Sequence, residues 1–121
     1  MNYESVVVVP SRVAPGVRYT VARMSFGRRV ELMRRLRELA GRIEFLEASG
    51  ETRDKMDGRL LRAEIDRTYL LWGLREIAGL ELDGNPATAE SLANDGPEDL
   101  CREALATVRA ETGLDEAERK N

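Results

Sequence analysis

Hydrophobic positions along the chain repeat first every second residue, then every third or fourth. Glu4 to Val9 is a Val-rich run of strand length, and Pro10, which cannot donate to a ladder, ends it. The segment 10–16 is punctuated by Pro and Gly and reads as a loop. Val17 to Met24 alternates, with Val17, Tyr19 and Val21 on one face and Arg18, Thr20, Ala22 and Met24 on the other. A period of two predicts a half-buried strand, so 4–24 is expected to form a β-hairpin. A lone hairpin is marginal in water and must lie on helices or pair with another chain.

From Ser25, a predicted N-cap, the period lengthens. Leu32, Leu36, Leu39, Ile43 and Leu46 step by four, three, four and three, with Arg28, Arg29, Arg34, Arg35 and Arg42 mostly off that stripe. This predicts an amphipathic helix over 25–49, closed at Ser49-Gly50. A second helix is predicted over 59–79. Leu61, Ile65, Tyr69 and Trp72 recur at helical spacing, Leu60, Leu71, Leu74 and Ile77 broaden the face, Gly58 argues against an earlier start, and Gly79 offers a left-handed closing residue. Two helices of similar length joined by a short polar segment are expected to pack as an antiparallel hairpin.

Asp83-Gly84-Asn85-Pro86 is turn chemistry, and Leu80 and Leu82 are spaced to add a third short strand, near 80–82, to the edge of the hairpin. Thr88 is a predicted cap for a short helix over 89–93. After Asp95-Gly96, Pro97 is expected at the first position of a C-terminal helix over 97–112. Leu100, Ala104, Leu105 and Val108 form its stripe, and Gly113 closes it. The mostly charged 114–121 reads as a flexible tail. The predicted architecture is a single domain over 1–121, α+β and mainly α: an N-terminal β-hairpin packed on an antiparallel helical hairpin, plus the C-terminal helix.

Composition narrows the function classes. The 121 residues contain no His, which removes the commonest general base and metal ligand. No apolar run approaches the roughly 20 residues that span a bilayer. The start Met1-Asn2-Tyr3-Glu4 lacks a signal-peptide pattern, so the cytoplasm is the expected compartment. A single Cys cannot form an internal disulfide. Residues 1–48 carry 9 Arg against 5 acids (+4) and residues 49–121 carry 10 bases against 17 acids (−7), together the net −3. Opposite charge on the two halves predicts weak self-association or a charged partner. The Arg-rich helix invites a nucleic-acid or membrane reading. Glu31, Glu38, Glu44 and Glu47 interleave with its arginines, and no aromatic run offers base stacking, which argues against both.

No catalytic apparatus is visible. Ser residues sit at caps and turns without a base, and no Gly-rich phosphate loop occurs. Cys101 lies beside Leu100 and Leu105 and reads as a small core hydrophobe. The acidic groups Glu64/Asp66 and Asp95/Glu98/Asp99 lack calcium-loop spacing. The chain is expected to be non-enzymatic, with no cofactor and no metal.

Several segments carry a family resemblance: Phe26-Gly27-Arg28-Arg29, Glu64-Ile65-Asp66, Tyr69-Leu70-Leu71-Trp72-Gly73-Leu74, the run Gly79 to Thr88, Gly96-Pro97-Glu98-Asp99-Leu100, and Glu116 to Asn121. From about Val17 onward the chain resembles the tail assembly chaperone-like proteins of long-tailed bacteriophages and prophages. The resemblance implies a protein made beside the tail tube and tape-measure proteins, coating the tape measure until tube subunits replace it, in the cytoplasm of the bacterial host. It carries no catalytic residue. The alternatives are a structural tail component (a minor tail, tube or tail-completion protein, then present in the virion tail) and an Arg-rich nucleic-acid-binding regulator. Candidate partner contacts are Tyr69 and Trp72 as aromatic anchors, with Arg34, Arg35 and Arg42 pairing acids at the rim.

Overall fold

In the computed structural model, which describes residues 1–113, the predicted hairpin forms from β1 (Val6–Pro10) and β2 (Arg18–Ala22), antiparallel and in register from Val6↔Ala22 to Pro10↔Arg18. The expected tail at 114–121 lies outside the described residues. Tyr19 and Val21 of β2 are completely buried, on the apolar face that the alternation predicts.

The third strand is not at 80–82. It is β3 (Leu74–Ala78), which pairs antiparallel with β2 and makes β2 the centre of a three-stranded sheet. The helix predicted to run to Gly79 therefore ends at Gly73. The physical reason is a bulge. Tyr19 pairs Ile77 and Thr20 pairs Glu76, but Val21 pairs Leu74, so Arg75 is the extra residue. In a regular strand Leu74 and Ile77, three apart, would point to opposite faces; the bulge turns both inward, and both are buried. A spacing of three is also helical spacing, which is why the segment reads as helix. Gly79 (φ +81) caps no helix: it passes the β1–β2 loop so closely that a Cβ would lie 2.2 Å from the Gly16 carbonyl oxygen.

Helix α1 (Phe26–Ala48) opens at Ser25, whose hydroxyl accepts from the Arg28 N–H. The Arg28 guanidinium also donates to the Ser5 and Arg23 carbonyls at 2.6 and 2.8 Å, fastening the start of α1 to the sheet. Helix α2 (Thr52–Gly73) starts earlier than the sequence suggests and runs through Gly58, which is buried against Glu47 of α1. The two helices form the expected antiparallel hairpin. Leu32, Leu36 and Ile43 are buried along α1, and Leu61, Ile65, Tyr69 and Trp72 along α2.

Leu80 and Leu82 belong to a separate small unit. Strands β4 (Glu81–Leu82) and β5 (Asn85–Pro86) pair around Asp83 and Gly84, both at positive φ (53° and 82°), as a tight hairpin turn requires. A capping box between Thr88 and Ser91 starts α3 (Ala89–Asp95), two residues longer than predicted. Pro97 stands one place earlier than expected, as the N-cap of α4 (Glu98–Thr112) rather than its first residue, and Gly113 closes α4 in the left-handed conformation. The sheet, the C-terminal half of α2, α3 and α4 share one core around Tyr19, Trp72, Leu92 and Val108. No described helix is long and apolar enough to cross a membrane.

Candidate functional site

The α1–α2 hairpin buries a single seam, which leaves each helix with flanking positions that nothing covers. Leu46 and Leu61 belong to the seam, at the half-buried and buried levels. Their chain neighbours Phe45 and Leu60 project outward, 77% and 60% exposed. Together they open a groove of about 830 Å³ between the helices. Its α1 wall is formed by Arg34, Arg37, Glu38, Gly41 and Arg42, and Asp57 and Glu64 stand on the α2 side. The six charged side chains make no ion pair with any described residue, whereas exposed pairs form elsewhere on the same helices: Arg35–Glu31 at 2.7 Å and Arg62–Glu47 at 2.8 Å. A Cβ at Gly41 would meet nothing within 4 Å, so internal packing does not require that glycine.

The five sequence candidates divide accordingly. Arg34 and Arg42 line the groove. Arg35 is turned away and occupied by Glu31. Tyr69 and Trp72 are 1% and 5% exposed and cannot serve as contact anchors; they belong to the core because α4, α3 and β3 pack on the broad apolar face of α2. The Arg109 guanidinium stacks on the Tyr69 ring, 4.8 Å from its centroid, and is ion-paired to Asp66. Asp66 is therefore engaged, and Glu64 faces the groove. Among the described residues no group of three or more His, Cys, Asp or Glu is placed to hold a metal. Cys101 is half-buried against the core, and burial, then Glu98 and Asp66, push its thiol up from the ordinary range.

Sequence reasoning missed Phe45, an aromatic one step off its stripe, and placed Leu60 and Leu71 on the buried face of the second helix; both are exposed, because the seam with α1 takes Leu61 and leaves its neighbour Leu60 outside. It also missed Glu103 of α4. That carboxylate accepts from the Ser11 hydroxyl (2.5 Å), the backbone N–H groups of Arg12 (2.8 Å) and Val13 (3.1 Å), and the Tyr19 hydroxyl (2.8 Å). Burial alone would raise its pKa, but these donors favour the ionised form and hold it below the usual carboxylate value. The Tyr19 phenol is pushed up to about 12, first by burial and then by its bond to Glu103. The knot ties the β1–β2 loop to α4 and leaves no acceptor free for chemistry.

The arrangement offers an open apolar groove with a charged rim, and among the residues that line it no nucleophile stands beside a base. No known protein family matches the chain, and neither a characterised protein nor a solved structure is detectably similar to it.

Proposed function

We propose that this chain is a non-enzymatic assembly chaperone that seats an amphipathic helix of a partner in the α1–α2 groove. The observation that carries this reading is the groove itself: two large apolar side chains in water, ringed by charges with no ion pair among the described residues. A helix laid there would cover Phe45 and Leu60 with its own apolar stripe, and Arg34, Arg37, Arg42, Asp57 and Glu64 would set its register. The resemblance to tail assembly chaperone-like proteins supplies the partner, the helical tape-measure protein of a long-tailed phage or prophage, with the tail tube protein as the subunit that later replaces the chaperone. The site of action is then the cytoplasm of the bacterial host.

Co-expression with a tape-measure fragment tests this. The wild type is expected to keep the fragment soluble and to co-purify with it, and Phe45→Ser to lose it without unfolding. A specific feature favours a second reading, a structural tail component: β1 lies at the sheet edge with Val8 56% exposed, a place where a neighbour's strand could add. Mass spectrometry of finished particles separates the two. Abundance in particles without tape-measure capture supports the structural component and sinks the chaperone.

A further inference from the structure

We infer that the groove is self-complementary and that two copies of this chain pair through it, the α1–α2 hairpin of one copy (its arm) against that of the other. Its α1 wall carries Arg34, Arg37 and Arg42 against the single acid Glu38, and its α2 side carries Asp57 and Glu64. One wall is basic and the other acidic, and none of these charges is ion-paired to any other described residue. A two-fold axis running along the arm lays α1 of each copy over α2 of the other, so the basic wall meets the acidic wall twice. An axis across the arm would set α1 on α1 and oppose arginine to arginine, which charge repulsion disfavours.

The first axis also preserves height along the arm. Counting along the antiparallel helices from the contact between Gly58 and Glu47 puts Phe45 level with Leu60, and Arg42 about one residue from Glu64. Phe45 of each copy then covers Leu60 of the other, and Arg42 faces Glu64 of the second copy. Gly41, whose missing side chain serves no internal contact, keeps the wall low where the second arm approaches. Self-pairing shields the two exposed apolar side chains until another helix competes for them, and it does not depend on that helix's identity.

Sedimentation of the full chain across a wide concentration range tests this. The wild type is expected to show a monomer–dimer equilibrium that weakens in high salt, because exposed charges are screened within ~10 Å at 0.1 M. Phe45→Ser should weaken association at least ~10-fold, the scale of losing a central aromatic contact. Arg42→Glu and Glu64→Arg should each be monomeric alone. Mixed together they should recover a one-to-one dimer, since each interface position again pairs opposite charges. Circular dichroism of each variant checks that it is folded. A wild type that stays monomeric at the highest concentration overturns the inference, as does a dimer indifferent to Phe45→Ser or a mixture that does not recover. Loss of tape-measure capture with an intact dimer refutes the chaperone reading alone; a wild type that captures the fragment but never dimerises without it refutes only this one.

Discussion

The body of the molecule and its arm handle polar groups and glycines in opposite ways. In the body, the Glu103 carboxylate gathers four donors, and Arg109 is held between Asp66 and the Tyr69 ring. Gly73 and Gly79 sit where a Cβ would come within 2.3 Å of Val108 and 2.2 Å of Gly16. In the arm, six groove charges have no ion pair among the described residues, and Gly41 has open space around it. For these residues of the body, each glycine and polar group has an internal reason. On the groove side of the arm such reasons are missing, and that is where an external one is best sought.

Substitutions that scale with internal packing should separate the two regions. Trp72→Ala empties a core site and is expected to cost ~3–5 kcal/mol in chemical denaturation. A variant that stays stable but loses partner binding would return Trp72 to the surface. Gly79→Ala should cost about 1–3 kcal/mol, because the new methyl meets the Gly16 backbone and the position has positive φ; a neutral result would mean the loop can retreat.

Glu103→Gln should cost about 1–2 kcal/mol, since its amide group turns a donor toward donors. A pH series sharpens that result. The folded pKa of Glu103 is lowered, so its contribution is present above the ordinary Glu range and is lost as pH falls through the lowered folded value. The raised Tyr19 pKa gives the opposite edge, with stability lost as pH rises from 10.0 to about 12. The Gln variant should lack the acid edge; an identical acid profile would dismiss Glu103 as its source.

At the small end, Gly41→Ala should stabilise the monomer by about 0.5–1 kcal/mol through helix propensity, an effect opposite in sign to Gly79→Ala. Phe45→Ser should stay within about 0.5 kcal/mol of wild type in thermal melts while weakening association. If Gly41→Ala destabilises, the arm is packed against something inside the chain after all.

Local chemistry was the legible part of the sequence. Ser25, Thr88 and Gly113 cap their helices as predicted because a cap is decided by the few residues around it. The alternation of Tyr19 and Val21, and the Leu32, Leu36, Ile43 stripe, placed the hairpin and α1 for the same reason. Strand β3 was not legible: its bulge imitates a helical spacing, and its pairing with β2 reaches back more than fifty residues. Glu103 was hidden by distance, since its donors lie 84 to 92 positions away. The groove was half legible. Arg34 and Arg42 stood out as charges off a stripe, whereas Tyr69 and Trp72 drew attention that belonged to Phe45 and Leu60. Aromatic residues on the broadest apolar face are the ones most completely covered.

Helix α2 ends at Gly73 and β3 begins at Leu74, with no loop residue between them. Helix α2, about 33 Å long at 1.5 Å per residue over 22 residues, carries the arm outward from its C-terminal half and is thus welded to the sheet. At the other foot, Arg28 bolts the start of α1 to the Ser5 and Arg23 carbonyls. Both legs are clamped at the base, so the arm behaves mechanically as a cantilever rather than a flail. Whatever grips its outer end is held at a set span and angle from the β1 edge, and a pull there becomes torque on the central sheet instead of being dissipated in a linker.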